Sequence, residues 1–212
     1  MVKRLVILTK NNTITYKLKQ KRLPLSKVIS FFMDEYIELL DSNGNTTGEK
    51  CLKSIAHKHG YYHASVHIWF YTKDKEILIQ KRNVNKDTFP NLWDVSVAGH
   101  ITFGESPLLA AIRETEEEIG LKVSEKQLQN IGTSTHKNIH SEKLIDHELH
   151  HIYVSLLEID IRYLSIQKEE VSEIKLISID AFKMELKNNT DSYVPHGSDY
   201  YTSVFEVIEK RY

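Results

Sequence analysis

GHITFGESPLLAAIRETEEEIGL, running from Gly99 to Leu121, is the stretch that orders the rest of this chain. Its second half predicts a helix over residues 106–119, because Leu108, Ile112, Thr115 and Ile119 recur at 4-3-4 spacing and make one core stripe. Gly120 follows where helices commonly end in a left-handed residue. At about 100° per residue, Glu114, Glu117 and Glu118 fall on an arc turned away from that stripe. Three carboxylates at i, i+3 and i+4 repel one another by roughly a few tenths of a kcal/mol per pair. A divalent cation turns that repulsion into a site. Hard oxygen ligands without cysteine favour Mg2+ or Mn2+ over zinc.

Strands are expected on both sides of this helix. Glu35–Asp41 and Thr46–Glu49 flank the turn signal Asn43-Gly44. Tyr62–Tyr71 alternates, placing Ala64, Val66, Ile68 and Phe70 on one face and His63, Ser65, His67 and Trp69 on the other. Further strands are predicted at Glu76–Gln80, Trp93–Ala98, Ile131–Lys137, His150–Leu157 and Ile174–Ile177. Ser198 is placed to cap a last helix whose Tyr201, Val204, Phe205 and Ile208 share a face. Strands interspersed with helices predict a compact α/β or α+β domain.

The stretch resembles the Nudix box, Gly-x5-Glu-x7-Arg-Glu-U-x-Glu-Glu-x-Gly-U, where U is a bulky aliphatic residue. Gly99, Glu105, Arg113, Glu114, Glu117, Glu118, Gly120 and Leu121 match in register, and Thr115 stands at the first U. The resemblance implies an α/β/α sandwich with a mixed central sheet. It also implies a pyrophosphohydrolase that cuts a diphosphate linkage in a nucleoside diphosphate, a triphosphate or a related metabolite. Glu114, Glu117 and Glu118 would hold Mg2+, with Mn2+ as a substitute. Arg113 would pair with Glu105 and orient loop and helix, while Gly99 would let the backbone turn tightly and Gly120 would close the helix. Glu117 and Glu148 are the candidates for the base that takes the proton of the attacking water.

A narrower resemblance, over residues 35–200, is to the branch related to type I isopentenyl-diphosphate isomerase. DSNGNTTG, His63, Arg82 with Lys86, FPNLWDVSVAGH and DHELHHIYV carry it. It implies diphosphate contacts for Arg82 and Lys86. It implies a second metal at His63 and His100 with Glu148, and less directly His57 and Asp146. The isomerase's catalytic cysteine position is Ala98 here, and the box glutamates that the isomerase lacks are present. The reading is therefore a hydrolase. Isomerase-like chemistry and a non-catalytic diphosphate-binding module stay open as alternatives.

Composition narrows the partners. The chain has 212 residues, 41% apolar and 27% charged, which excludes collagen-like, low-complexity and wholly disordered readings. Cys51 is the one cysteine, so nothing asks for an oxidising compartment, and a cytoplasmic location is expected. No apolar run approaches the roughly 18 residues of a membrane span, and no membrane partner is expected. Residues 1–32 carry eight basic and no acidic side chains, leaving a net charge of −9 on the rest. That divides the chain into a basic extension, 1–32, and a domain, 33–212, whose acidic balance argues against nucleic acid. The expected partner is a small diphosphate substrate; a homodimer rests on the resemblance alone. Specificity is expected from Asn83–Asn91, the strand bearing Trp69 and the segment YVPHGSDYY.

Overall fold

The computed structural model describes residues 9–10, 13–14 and 34–211. The chain forms two units, Met1–Glu35 and Tyr36–Tyr212. In the first, strands β1 (Thr9–Lys10) and β2 (Thr13–Ile14) pair antiparallel. The remainder of the basic stretch 1–32 and the domain start expected at residue 33 lie outside the described residues.

The second unit is a mixed sheet between two helical layers. In chain order its strands are β3 (Tyr36–Leu40), β4 (Thr46–Leu52), β5 (His63–Tyr71), β6 (Glu76–Arg82), β7 (Trp93–Asp94), β8 (Val97–His100), β9 (Gln129–Ser141), β10 (Leu144–Leu156) and β11 (Val171–Ser178). The helices are α1 (Lys53–His59), α2 (Pro107–Ile119), α3 (Ile179–Asn188) and α4 (Ser198–Glu209). The main path runs β11-β6-β5-β10-β9, with β8 and β3 also on β5, β7 on β6 and β4 on β3. β5 and β10 are parallel; the other pairs are antiparallel. Both layers are covered because the alternation of β5 is real. Val66, Ile68 and Phe70 pack with Ala110, Ala111 and Ile119 of α2. Trp69 packs on the opposite face with Phe182 of α3 and Val204, Phe205 and Ile208 of α4.

Several local expectations are corrected. The Trp93–Ala98 strand is two short strands, broken at Val95-Ser96, where the Ser96 hydroxyl is donated to Leu78 O and accepts Phe70 N–H (2.8 Å). Strands β9 and β10 form one 13-by-13-residue hairpin, far longer than the pieces expected. Helices α1 and α3 were not read from the sequence. Ser198 is the first residue of α4 rather than its cap, and Gly197 holds that place at φ +91°. Trp69 is fully buried and donates Nε1–H to Tyr200 Oη (3.0 Å), so it is core and not a specificity surface. Among the described residues, no helix is long and apolar enough to cross a membrane.

Candidate active site

Helix α2 starts where Ser106 Oγ accepts the Leu109 N–H (3.3 Å) and Pro107 fixes the first turn; it stops at Gly120, φ +69°. Thr115 keeps its place in the stripe by donating its hydroxyl to Ala111 O (2.7 Å), fully buried. The acidic arc is not turned to solvent as the helical wheel suggests. Glu114 and Glu118 are only 8% and 5% exposed, because β8 and β6 cover that side of the helix. Glu117 is the open one, its side chain 50% exposed.

Arg113 ties the parts together. Its Nε and Nη2 donate to the two oxygens of Glu105 (3.0 and 2.8 Å), and Nη1 donates to Glu114 (2.8 Å) and Glu117 (3.1 Å). Nη2 also reaches His100 O at 2.9 Å. Burial works against its charge, but Glu105 and Glu114 more than offset it and hold the guanidinium above its usual range. Glu105 in turn accepts the Thr102 N–H (3.2 Å), closing the loop before the helix.

Gly99 has a different reason from the tight turn expected. It lies in β8 opposite Val66, and a Cβ there would stand 2.0 Å from Glu114 Cδ. The glycine leaves room for a carboxylate to lie flat on the strand.

Glu118 accepts Gln80 Nε2–H (3.0 Å) and Ala98 N–H (3.2 Å). Burial, and then the charge of Glu114, push it up to about 8. A metal ligand must be ionised, so Mg2+ would displace this proton. Apparent Mg2+ affinity should rise by up to about tenfold per pH unit below pH 8 and level off above it. By the same linkage the metal-free protein carries a proton that the unfolded chain has shed, so its stability falls as pH rises toward 8. Buried histidines pull the other way near pH 6.5, so the comparison belongs above pH 7. Calorimetric Mg2+ titrations at several pH values test this; an affinity flat from pH 7 to 8 would remove Glu118 from the ligand set.

A second group lies on the face of β5 opposite α2. His57, His63, His100 and Glu148 each present a ligand atom within 4.8 Å of the others. Glu148 Oε1 is 3.9 Å from His63 Nε2 and 3.6 Å from His100 Nε2, and His57 Nε2 is 3.1 Å from His100 Nε2. Asp146 sits behind, 3.4 Å from His57 Nδ1. His63 Nδ1 donates to Tyr61 O (2.8 Å), which leaves a buried Nε2 lone pair without a hydrogen-bond partner. Burial works to raise Glu148, yet His100, with His150 and His63, holds its carboxyl well below the usual range. His100 joins the two groups, its carbonyl on Arg113 and its ring beside Glu148.

The expected phosphate contacts are partly engaged. Arg82 donates to Asp94 (3.1 Å) and to Thr88 O (3.2 and 3.0 Å), and Lys86 pairs with Glu170. Sequence reasoning gave no role to His150, put His67 only on the face of His63 and His196 only within the specificity segment YVPHGSDYY, yet these three also converge. The parity of β5 was the one available signal, since it put His67 beside His63.

A mixed sheet between helices, with a glutamate-rich helix locked by one arginine to the loop before it, makes this an α+β domain of one recognisable class. The chain belongs to the NUDIX domain family, whose model matches residues 61–196. It is 32% identical over 183 residues to Nudix hydrolase 3 of Arabidopsis thaliana, covering 84% of this chain but only 24% of that protein. An uncharacterized Nudix hydrolase of Clostridium acetobutylicum is 31% identical, with 84% of this chain and 99% of that one aligned. The isopentenyl-diphosphate Delta-isomerase of Serratia proteamaculans is 34% identical over 59% of this chain and 68% of its own. Among solved structures, DR0079 from Deinococcus radiodurans superposes with a TM-score of 0.57 at 16% identity, over 84% of this chain and 99% of that one, a likeness of fold.

Proposed function

We propose that this chain hydrolyses a diphosphate linkage in a nucleoside diphosphate, a triphosphate or a related metabolite, with Mg2+ or Mn2+ held by Glu114, Glu117 and Glu118. Glu118 carries this reading. It is a buried carboxylate raised by burial and by Glu114, in a donor set made of oxygens, and Arg113 is already shared among Glu105, Glu114 and Glu117. Such a site fits a hard dication.

Bound Mg2+ supplies neutralisation of phosphate charge and a more acidic water. Glu117, the exposed carboxylate, would take the proton of the attacking water. Glu148 is the weaker base, since the surrounding histidines hold it ionised, and it serves with His57, His63 and His100 as a second metal site. The orphaned His63 Nε2 fits that role. Lys86 meets substrate phosphate at the rim by exchanging its Glu170 partner, whereas Arg82 is committed to Asp94 and Thr88.

Isomerase chemistry is the second reading, favoured by the relative from Serratia. It needs a proton donor or acceptor at the position of Ala98, whose methyl group can be neither. Incubation with Mg2+ and a panel of nucleoside and isoprenoid diphosphates, followed by phosphorus and proton NMR, separates the readings. Release of phosphate or a nucleoside monophosphate is expected. Interconversion of isopentenyl and dimethylallyl diphosphate without phosphate release would overturn the hydrolase.

A further inference from the structure

Beyond the acidic helix and the His63 group lies a third cluster, built from three distant parts of the chain. His67 comes from β5, His150 from β10 and His196 from the segment before α4. Strands β5 and β10 run parallel side by side, and His150 pairs in register with Ser65, two residues from His67. One ring nitrogen from each histidine lies within 4.8 Å of the other two. His67 and His150 are buried, and the His196 side chain is only 5% exposed.

Each ring is held from behind by one hydrogen bond. His196 Nε2 donates to Asp94 Oδ1 (2.7 Å), His150 Nδ1 bonds Ser65 Oγ (2.7 Å), and His67 Nδ1 bonds Tyr200 Oη (2.7 Å). Asp94 is itself fixed by Arg82 (3.1 Å) and by the Val95 N–H (2.8 Å). The nitrogens left over are Nδ1 of His196 and Nε2 of His150, both buried and without a hydrogen-bond partner. Tyr200 Oη already accepts the Trp69 Nε1–H, so its own hydrogen goes to His67 Nδ1, and His67 is the ring that has no bare nitrogen in this arrangement. One engaged nitrogen and one bare nitrogen, as in His150 and His196, is how metal-bound histidines are oriented, often by a carboxylate. A buried histidine network built for stability alone would use these nitrogens rather than leave them bare.

We propose that His67, His150 and His196 form a transition-metal site, with Asp94 orienting His196 and Ser65 orienting His150. Three imidazoles, with the neighbouring carboxylates of Asp94 and Glu148 on the engaged nitrogens of His196 and His150 and not on the bare ones, suit Zn2+, Co2+ or Ni2+ and not Mg2+. The rings of His67 and His150 stack at 3.9 Å between centroids and 19° between planes, so their in-plane lone pairs run nearly parallel. A shared ion therefore requires His67 to turn out of its Tyr200 hydrogen bond, while His150 and His196 keep theirs. His196 already meets His67 edge-on, at 70°. The site is separate from the His63 group, with Glu148 and His150 as neighbours across the boundary, 3.5 Å apart.

The test is metal stoichiometry, which does not depend on the hydrolase reading. Metal-stripped protein is dialysed against Zn2+ with excess Mg2+ to occupy the carboxylates, and bound zinc is measured by elemental analysis. Two equivalents per chain are expected for the parent, with one lost in His196→Asn and a different one lost in His63→Asn. Two equivalents retained by His196→Asn, or no zinc in the parent beyond the equivalent that His63→Asn removes, would overturn the site. Should His196→Asn fail to fold, Ser65→Ala decides alone. It should weaken zinc at this site about 10- to 100-fold, and unchanged affinity would overturn the proposal. Hydrolysis assayed with Mg2+ alone reports on the acidic helix separately.

Discussion

Glu117→Gln should lower Mg2+-dependent hydrolysis by on the order of 10²- to 10³-fold, the scale of several kcal/mol of lost transition-state stabilisation. The side chain is half exposed and its one protein partner here is Arg113 Nη1 at 3.1 Å, so an amide of the same shape leaves the helix intact. Melting should therefore stay within about 0.5 kcal/mol of the parent, as for other surface positions. Mg2+ affinity, read by calorimetry, should fall together with the rate. Full activity in the Gln variant would show that Glu117 neither holds the cation nor takes the proton.

Arg113→Ala should lower stability and rate together. The guanidinium makes five hydrogen bonds, to three carboxylates and the His100 carbonyl. Its removal takes away the two hydrogen bonds that pair it with Glu105 and the link from Glu105 to the helix, in a place largely shielded from water. Breaking a buried pair costs about 3–5 kcal/mol; the 26% exposure of Arg113 brings the expectation to about 2–3 kcal/mol. The rate should drop because the loop between β8 and α2 loses its anchor to the helix. Arg113→Lys keeps the charge without the two-pronged geometry and should recover stability in part. A large loss of rate with unchanged melting would mean that Arg113 touches substrate instead.

Much of this was legible in the sequence, for local reasons. The period of 106–119 and the alternation of 62–71 are properties of neighbouring residues, and both translated directly into the faces of α2 and β5. What failed was whatever depends on a distant covering element. A helical wheel sends Glu114 and Glu118 to solvent because it knows nothing of Gly99, Ala98 and Gln80 lying over them. The run 138–149 gave no strand signal, since residues 138–141 gain their pairing from β10, and residues 144–149 from β9 and, at 148 and 149, from β5, rather than from an apolar period of their own. The cluster of His67, His150 and His196 was invisible for the same reason, as no spacing along the chain joins three residues so far apart.

The division of labour along β5 has a consequence for how such a protein can diverge. Positions 64, 66, 68 and 70 face α2, and 66, 68 and 70 form part of its core, while 63 and 67 bear the histidines of the two proposed metal sites and 65 holds His150. Ala98, at the position that the resemblance gives to the isomerase's cysteine, is the backbone partner of His67. Exchanges at 63, 65, 67 and 98 can therefore retune the chemistry while Val66, Ile68 and Phe70 keep holding the sandwich together. A lineage carrying this strand can change its reaction on one side without renegotiating its fold on the other.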